Sequence, residues 1–373
     1  MSAGSRPDAV VVGAGIVGAA CARALAEAGL RVLVLERHFP GGGTTAAAMG
    51  HLVVMDDSEA QFALTSCSRR LWTELRDELP DACEDDACGT LWVAADAEEL
   101  EHVRRKAAYY RERGVAAEIL DERQVAEAEP SLRTDLAGAL RIPDDRVIYP
   151  PNAARWLLER AVASGAEARS GCAVWRIEAR RVVCDGGAIE ADVVINAAGC
   201  DAPRLTPGLP ITPRKGHLVI TDRYPGFCRH QLVELGYLKS AHSMSSESVA
   251  FNVQPRATGQ LLIGSSREFV GEDASINRSL RDQMLRRAIS YLPGLAGLQA
   301  LRTWIGFRPA TEDKLPLIGR WEAVAGLWIA AVHEGLGITT ALGTALLLTD
   351  LILGRRPALD PAPFAPARSM AHA

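Results

Sequence analysis

The stretch Ala9-Val10-Val11-Val12-Gly13-Ala14-Gly15-Ile16-Val17-Gly18 decides the fold of the first part of the chain. Four apolar residues typical of a buried strand lead into G-x-G-x-x-G and an alanine-rich helix. Gly13 permits a sharp turn, Gly15 lets backbone amides approach a pyrophosphate, and Gly18 lets the helix pack closely on the strand. The pattern predicts a dinucleotide-binding β-α-β unit. The alternative is a glycine-rich helix start that serves packing alone.

The second strand of this unit supports the first interpretation. Leu30-Arg31-Val32-Leu33-Val34-Leu35 ends in Glu36, eighteen residues after Gly18. A carboxylate at this place can accept hydrogen bonds from an adenosine ribose. The pyrophosphate would then lie at a helix N-terminus, where unpaired N–H groups and the helix dipole favour an anion.

Composition narrows the class of protein. The 373 residues carry a net charge of −5, which gives no reason to expect binding to nucleic acid or to an anionic membrane. The eight cysteines have no spacing typical of a zinc or iron–sulfur site, so we expect no metal. Cys83 and Cys88 are expected to be surface thiols.

Targeting signals are the next question. No basic and apolar leader precedes the first strand, and the apolar stretch Leu336 to Leu353 is interrupted by glycines, threonines and Asp350. That stretch favours a buried helix over a membrane span. We therefore expect a reduced, soluble, cytoplasmic protein.

The segment after Glu36 also has features that favour nucleotide binding. Gly41-Gly42-Gly43-Thr44-Thr45-Ala46-Ala47-Ala48-Met49-Gly50-His51 combines flexible glycines, hydroxyls that can donate to phosphate, and small residues that leave room for a flat ring. The alternative is a glycine loop that caps a helix. Further along, periodicity predicts helices over 57–80 and 97–116, a strand over Gly89–Ala94, and a helix over Asn152–Ser164.

Two later regions differ in their pattern. The segments Cys172–Ile177 and Val182–Cys184 predict paired strands, and Ala191–Gly199 predicts a buried strand that ends in small residues beside a nucleotide. From 215 to 302 the alternation in His217–Thr221, Ser248–Val253 and Gln260–Gly264 predicts an antiparallel sheet, followed by a helix over Arg281–Leu292.

From Trp304 the chain returns to glycines and apolar strands, and ends in a helix. The sequence thus predicts an α/β protein with a discontinuous Rossmann-type nucleotide-binding domain (1–88, 148–214 and 303–373). A second, α+β domain built on the antiparallel sheet would hold substrate (89–147 and 215–302). The proline-rich tail after Gly354 is expected to be a surface strap or disordered.

Four features in this order carry a family resemblance: the glycine turn with Glu36, the strand end Ala197-Ala198-Gly199, the run Gly306 to Gly319, and the turn His333–Thr340. Together they resemble the D-amino-acid oxidase family of flavoproteins over essentially the whole chain. Thr44–Asp57 and Glu234–His242, with the His333–Thr340 turn, are most similar to bacterial D-hydroxyproline dehydrogenases and hydrogen-cyanide-synthase-type subunits.

The resemblance implies FAD rather than free NAD. The last turn would offer backbone N–H groups at a helix N-terminus to the flavin pyrimidine carbonyl, which stabilises the anionic reduced ring. No cysteine or histidine follows the pattern of covalently flavinylated relatives, so non-covalent FAD is expected. The residues expected to bind the cofactor are Gly13, Gly15, Ile16, Val17, Gly18, Glu36, Arg37, Gly43, Thr44, Thr45, Ala48, Gly50, His51, Val174, Ala198, Gly199, Arg308, His333, Gly335, Leu336, Gly337, Ile338 and Thr339.

The activity implied is hydride transfer from the amine-bearing carbon of a small D- or secondary-amine amino acid, such as D-hydroxyproline, to the flavin, with an imine as product. One alternative is an oxidase of glycine or an N-substituted glycine that uses oxygen. Another is the flavin subunit of an amino-acid dehydrogenase that passes electrons to a partner subunit or a quinone. A catalytically silent FAD-binding scaffold is disfavoured by the arginine described next.

Arg308 stands where the family places its carboxylate-binding arginine, whose planar fork can form two parallel hydrogen bonds. The alternative is a surface ion pair. His51 follows the flavin loop and is either a contact to the ring or substrate amine, or a helix-start or core histidine. Asn252 stands where glycine oxidases tend to place a substrate-contacting tyrosine, which implies a more polar pocket.

Four further candidates have a structural alternative of equal or greater weight. Tyr237 and Lys239 either line the substrate pocket or serve packing and solvation. His333 precedes the flavin turn and is either a ring contact or a core residue. Lys215, at the domain junction, is expected to be structural rather than catalytic.

Overall fold

The computed structural model describes residues 6–236 and 247–370. The described strands, in chain order, are β1 (Ala9–Val12), β2 (Val32–Glu36), β3 (His51–Leu52), β4 (Thr90–Ala94), β5 (Glu118–Leu120), β6 (Gly138–Ile142), β7 (Arg146–Val147), β8 (Glu167–Ser170), β9 (Val174–Glu178), β10 (Arg181–Cys184), β11 (Gly187–Glu190), β12 (Val193–Asn196), β13 (Thr212–Thr221), β14 (Gln231–Glu234), β15 (Glu247–Pro255), β16 (Leu261–Glu268), β17 (Ala300–Ala310), β18 (Leu317–Arg320) and β19 (Leu327–Ala331). The described α-helices are α1 (Ile16–Glu27), α2 (Gly43–Ala46), α3 (Glu59–Glu74), α4 (Ala97–Glu112), α5 (Glu122–Ala128), α6 (Pro150–Ala163), α7 (Ala202–Leu205), α8 (Arg278–Tyr291) and α9 (Gly337–Ile352).

The chain divides into two compact units, each made of separate segments. The first unit comprises Met1–Cys83, Tyr149–Pro213 and Phe307–Ala373. The second comprises Glu84–Ile148 and Arg214–Gly306. The chain therefore enters the first unit three times.

The first unit is built on a six-stranded sheet of order β18-β19-β12-β1-β2-β8. Every neighbouring pair is parallel except β18 with β19. Strands β1 and β2 flank α1 in sequence and lie side by side, and β12 lies on the other side of β1. This is the β-α-β arrangement that the opening stretch predicts, and it sends the carboxyl ends of β1, β2 and β12 to one edge of the sheet.

Both faces of this sheet are covered. On one face, alternate residues such as Val10, Val12 and Leu33 pack on the antiparallel sheet of β9, β10 and β11, including Ile177 and Val182. Helix α1 packs against the sheet as well as against α6 and α9. Covering both faces explains why these strands are apolar throughout rather than alternating.

The second unit contains most of an eight-stranded sheet of order β17-β13-β16-β15-β14-β4-β6-β5. Its described pairs are antiparallel except β14 with β4. One face carries a row of apolar side chains in register across five strands, packed beneath α8: Leu91, Leu232, Val253, Ile263 and Val219. The opposite face is mixed: the register places Thr90, Gln231 and Asn252 on it together with Trp92 and Val233.

Two predicted helices begin earlier than expected. Helix α6 begins at Pro150 because proline is well suited to the first helical turn, where its missing N–H has no partner to lose. Helix α8 begins at Arg278 because the side chain of Asn277 accepts a hydrogen bond from the amide of Leu280 and caps the helix. Neither capping signal shows in apolar periodicity.

Two surface predictions had different outcomes. Cys83 is fully buried, so its prediction as a surface thiol was wrong; Cys88 is half-buried. In the tail, the described residues form a strap. Phe364 is buried there, and Arg368 forms an ion pair with Asp313 at 2.7 Å. Among the described residues, no helix has the length and apolar character needed to cross a membrane.

Candidate functional site

The turn between β1 and α1 has no room for side chains. Gly13 has a φ of +102°, and a Cβ atom there would lie 2.7 Å from the carbonyl oxygen of Ala197. A Cβ on Gly18 would overlap the carbonyl oxygen of Gly13 and lie 3.3 Å from the Cβ of Ala197. Both glycines are therefore required by the backbone geometry, which supports the predicted roles of a sharp turn and close packing.

The N-terminus of α1 presents backbone rather than side chains. The N-cap of α1 is Gly15, which is in an extended conformation. Because glycine has no side chain, the N-cap residue makes no side-chain capping hydrogen bond. The amide of Ile16 donates to the Thr45 hydroxyl at 3.1 Å. A Cβ on Gly15 would lie 3.3 Å from the same hydroxyl. Gly15, Ile16 and Val17 thus form a helix start that fits an anion, with Thr45 at its rim.

Glu36 is fixed at the tip of β2 by two backbone amides. Its carboxylate accepts hydrogen bonds from the amide of Ala14 at 2.8 Å and from the amide of His38 at 2.9 Å. Each carboxylate oxygen keeps a further lone pair, because an ionised carboxylate offers about four acceptor positions. The geometry therefore fits a ribose hydroxyl beside the glycine turn.

The loop from Gly43 to His51 is tied to two distant segments of the first unit. The Thr44 hydroxyl donates to the carbonyl of Phe307 at 2.8 Å. The Thr339 hydroxyl donates to the carbonyl of His51 at 2.7 Å. Gly43 and Gly50 have φ values of +58° and +114°, and Ala48 lies between them as a small residue.

The carboxyl end of β12 lies at the same edge of the sheet as the carboxyl ends of β1 and β2. The Asn196 side chain accepts from the amide of Ala198 at 3.2 Å and donates to the hydroxyl of Thr206 at 2.9 Å. It thereby shapes the turn into Gly199, whose φ is +59°. Asn196 was not among the predicted site residues, although a polar residue at the end of an apolar strand was a signal that could have found it.

Arg37, predicted to bind cofactor, forms an exposed ion pair with Asp201 at 2.7 Å. Val174, also predicted to bind cofactor, opens β9 and pairs in register with Cys184. Their contacts to a cofactor stay predictions.

The terminal turn before α9 is conformationally strained. Val332 and Glu334 have φ values of +65° and +46°, which are unfavourable for residues with side chains and above all for β-branched valine. Such strain persists only where the surroundings enforce it, and it concentrates at functional sites. The turn leads into Leu336, the N-cap of α9, and its first helical residues Gly337, Ile338 and Thr339.

His333 lies in this turn and is buried. Its Nε2 atom is 2.9 Å from the Thr344 hydroxyl. Burial lowers the pKa of His333 to about 3, so the ring is neutral at physiological pH. These contacts favour a structural role, and a contact with the flavin stays a prediction.

Arg308 lies between two residues that are hydrogen bonded to the Gly43–His51 loop and to the terminal turn. Its neighbour Phe307 accepts the hydrogen bond of Thr44, and the carbonyl of Pro309 accepts one from the amide of Glu334 at 3.1 Å. The half-buried Arg308 side chain lies against the terminal turn, because a Cβ on Gly335 would be 3.7 Å from its Nε atom. Gly335 leaves the space that the guanidinium borders.

The second unit contributes a different kind of candidate. Asn252 on β15 is buried, and its amide oxygen has no hydrogen-bond partner among the described residues. Asn252 pairs in register with Val233 on β14, and Gln231, two residues before Val233, pairs with Thr90 on β4. Asn252, Gln231 and Thr90 therefore lie on the same side of the sheet. Gln231 and Thr90 are also buried, and an oxygen of each lacks a partner in the described part of the chain.

We call these three residues, Thr90, Gln231 and Asn252, the polar face. Sequence analysis found only Asn252; the signal available for the others is that Gln231 and Thr90 are the polar first residues of β14 and β4. Buried polar atoms without partners are rare and call for an explanation such as a bound polar molecule or water. Tyr237 and Lys239 lie outside the described residues.

Lys215 is almost completely buried in the second unit. Its ammonium group lies 3.1 Å from Glu268 and 3.2 Å from Asp273, and it donates to the carbonyl of Ser275 at 2.9 Å. These bonds fit the structural role that the sequence suggested. Within residues 6–236 and 247–370, no cluster of histidine, cysteine and acidic side chains is arranged to hold a metal ion.

Comparison with known proteins identifies the family. The family model described as DAO, FAD dependent oxidoreductase, matches residues 8–351. The chain belongs to this family. Its resemblance to flavoproteins, the α/β fold and the FAD cofactor are thereby confirmed, and it is an FAD-dependent oxidoreductase.

Individual members of the DAO family match over almost their full length. Glycine oxidase of Geobacillus kaustophilus is 30% identical, with 97% of each chain covered. Hydrogen cyanide synthase subunit HcnC of Pseudomonas aeruginosa is 28% identical, covering 97% of this chain and 96% of the relative. The crystal structure of glycine oxidase from Geobacillus kaustophilus matches with a TM-score of 0.86 and 28% identity, covering 96% of this chain and 98% of that one.

The first unit fits the cofactor of a DAO-family protein. We call the tight turn of Gly13, Gly15 and Gly18 the glycine cradle, and the N-terminus of α1 beside it would supply backbone donors to the FAD pyrophosphate. When bound, FAD would accept the hydride that the substrate loses as it is oxidised. The chain's own contribution would be orientation, a fixed charge at Arg308, and the positive end of α9.

Proposed function

We propose that this DAO-family protein oxidises the carbon–nitrogen bond of a small D- or secondary-amine amino acid such as D-hydroxyproline. The observation that carries the proposal is the position of Arg308 against the Gly335 turn, in the unit that holds the glycine cradle. A hydride leaves the amine-bearing carbon, and the resulting imine hydrolyses in water.

Arg308 would hold the substrate carboxylate. The guanidinium is planar and always charged, and it pairs with a carboxylate through two parallel hydrogen bonds. Such a pair fixes both distance and direction, so the reacting carbon reaches the flavin with little freedom left to lose. In this assignment the first unit is the FAD-binding domain and the second is the substrate domain.

The proposed substrate contacts of the second unit are Asn252 and Tyr237. Asn252 is the better supported, because its buried amide oxygen lacks a partner and a polar substrate atom would supply one. His51 is a proposed contact to the flavin or the substrate amine, since it directly follows the loop tied down by Thr44 and Thr339.

We further propose that FAD is held without a covalent bond. His333, the histidine nearest the terminal turn in sequence, is neutral, buried and hydrogen bonded to Thr344. Denaturation with acid should release all of the yellow colour as FAD. Colour that stays with the precipitated chain would contradict the non-covalent form, and release of FMN would contradict the role of Glu36.

A second candidate function has independent support. The relatives named glycine oxidase favour oxidation of glycine or an N-substituted glycine with oxygen as the acceptor. The relative named as a subunit of hydrogen cyanide synthase favours transfer of electrons to a partner subunit, or to a quinone.

One experiment separates these candidates. The purified holoenzyme is mixed without oxygen with D-hydroxyproline, D-proline, sarcosine, glycine or D-alanine, and the bleaching of the flavin absorbance is followed. We expect a cyclic secondary amine to bleach it fastest, because its ring presents the reacting carbon rigidly. The rate should rise toward alkaline pH, since the neutral amine is the hydride donor.

Air is then admitted to the bleached enzyme. Rapid recolouring indicates an oxidase, and slow recolouring that a quinone accelerates indicates a dehydrogenase. Fastest reduction by glycine or sarcosine would replace D-hydroxyproline with the second candidate. No reduction by any amino acid would overturn the proposed substrate class.

A further inference from the structure

The hairpin of β9 and β10 in the first unit brings two cysteines together. Cys184 pairs in register with Val174, and the amide of Asp185 donates to the carbonyl of Ala173 at 3.1 Å. Cys172, two residues before Val174, therefore lies diagonally across from Cys184 on the same side of the hairpin. Both side chains pack in the same apolar cluster of the first unit.

The two thiols differ in their access to solvent. Cys184 is part of the apolar core of the first unit, and its sulfur donates to the carbonyl of Gly187 at 3.3 Å. Cys172 is only partly buried and packs at the margin of that core. Both are free thiols. A small oxidant can therefore reach Cys172 first, because Cys184 is the more deeply buried of the two thiols.

The same hairpin is attached to the adenosine end of the cofactor cradle. The amide of Cys172 donates to the backbone carbonyl of Glu36 at 2.9 Å, and the amide of Gly171 donates to the carbonyl of His38 at 3.3 Å. Glu36 is the residue whose carboxylate fits the ribose. A movement of Cys172 is thus transmitted directly to the tip of β2.

We propose that Cys172 and Cys184 are a reversible redox pair that is oxidised to a disulfide by a hydroperoxide such as hydrogen peroxide, and that the disulfide loosens FAD. The Cys172 thiolate attacks one peroxide oxygen, giving a sulfenic acid and hydroxide. The Cys184 thiol then attacks the Cys172 sulfur and expels water. Overall, two thiols and one hydrogen peroxide give one disulfide and two waters.

The environment sets the rate of this reaction. Burial, and after it the interaction with Cys184, raises the pKa of Cys172. Only the thiolate attacks peroxide, so oxidation is slow at neutral pH and accelerates as the pH rises. A pair of this kind responds to sustained rather than brief exposure to peroxide.

The effect on FAD follows from the geometry. A disulfide brings the two sulfurs to about 2.05 Å, closer than two unbonded sulfur atoms can approach. Closing it draws Cys172 toward β10 and away from β2, which weakens its bond to the Glu36 carbonyl. Loss of one such hydrogen bond should speed FAD dissociation about threefold to tenfold. This inference rests on FAD binding and not on the proposed substrate.

The test uses the holoenzyme treated with hydrogen peroxide at pH 8.5. Peptide mass mapping without reduction should show Cys172 joined to Cys184 with the loss of two hydrogens, and dithiothreitol should restore the free peptides. The release of FAD after dilution, followed by its fluorescence, should be about threefold to tenfold faster for the oxidised protein.

Two variants sharpen the test. Cys184→Ser should form no cross-link and should leave a sulfenic acid on Cys172 that dimedone labels. Cys67→Ser, at a half-buried cysteine on α3, is the matched control and should cross-link like the natural protein. Sulfinic or sulfonic acid on Cys172 as the only product in the natural chain would overturn the pair. Equal FAD release from oxidised and reduced protein would overturn the link to the cofactor.

Discussion

The glycine cradle of the first unit and the polar face of the second unit are built by opposite means. In the cradle, backbone amides are expected to bind the cofactor, and Gly13 and Gly18 have no room for side chains. On the polar face, the side chains of Thr90, Gln231 and Asn252 carry the polar atoms on an otherwise regular sheet. The cradle thus depends on the absence of side chains, and the polar face depends on the presence of particular polar side chains.

This difference has a functional meaning. A backbone cradle recognises what every FAD molecule has, a pyrophosphate and a ribose, and tolerates little variation. A sheet face can exchange single side chains without altering the fold, so it is suited to substrate selection. We therefore expect changes in the cradle to abolish function and changes on the polar face to redirect it.

The largest expected effect comes from adding one methyl group to the cradle. Gly18→Ala places a Cβ against the carbonyl oxygen of Gly13 and the Cβ of Ala197, so we expect a protein without bound FAD or without a stable fold. The flavin absorbance per chain measures the loss. Gly186→Ala is the control in the same unit, because a Cβ there meets nothing within 4 Å. Full FAD content in Gly18→Ala would break the comparison.

The cradle was also the part most accessible to sequence analysis. Positions that accept only glycine recur at fixed spacing and so form a recognisable sequence motif. The β-α-β unit, the place of Glu36 at the end of β2, and the later strand β12 could therefore be predicted. The interaction of Arg308 with the Gly335 turn depended on family resemblance, since no local pattern joins residues so far apart.

The polar face shows why other parts were missed. Gln231 and Thr90 meet only through the pairing of β14 with β4, which are far apart in sequence, and the pair is parallel where an antiparallel sheet was expected. Likewise, the burial of Cys83 is a tertiary effect that an acidic local sequence conceals. Long-range register is set by packing and not by local propensity.

Arg308→Ala is expected to have the second-largest effect. FAD should remain bound, because the cradle is intact, while kcat/KM for amino acids falls about a hundredfold or more. Hydrogen bonds to a charged group each contribute about 1.5–3 kcal/mol, and two are lost. Arg308→Lys should recover little, since an ammonium lacks the planar fork.

The control for Arg308 is Arg302→Ala on the same strand. Arg302 is exposed and lies over the ring of Trp304, so its loss should leave the kinetics unchanged. Steady-state kinetics and flavin content are measured for all three variants. Native kcat/KM in Arg308→Ala would show that the carboxylate is held elsewhere.

The terminal turn provides a pH-dependent test of intermediate size. His333 has a pKa of about 3 in the folded protein, against an ordinary value of 6.5. Between these values the unfolded chain binds the extra proton, so stability is full above pH 6.5 and falls as the pH drops toward 3. The slope reaches at most about 1.4 kcal/mol per pH unit, or tenfold in the unfolding constant.

Denaturant unfolding of the holoenzyme at pH 7, 6 and 5 measures this slope. His333→Gln should have a shallower slope, even if its stability at pH 7 is lower. The control His38→Gln removes an exposed histidine and should keep the natural slope. Identical slopes for His333→Gln and the natural protein would remove His333 as the cause.

The smallest expected effect lies on the polar face. Asn252→Leu removes a buried amide whose oxygen has no partner in the described structure, so the free energy of unfolding should stay the same or rise. FAD content should be natural. The change should appear in selectivity: reduction by D-hydroxyproline should slow about fivefold relative to reduction by D-alanine, the size of one neutral hydrogen bond to the substrate.

Ser248→Ala on the same strand is the control, because its buried hydroxyl also lacks a partner among the described residues. An unchanged ratio in Asn252→Leu, or an equal change in Ser248→Ala, would mean that the polar face does not select the substrate and that the contrast with the cradle is structural only.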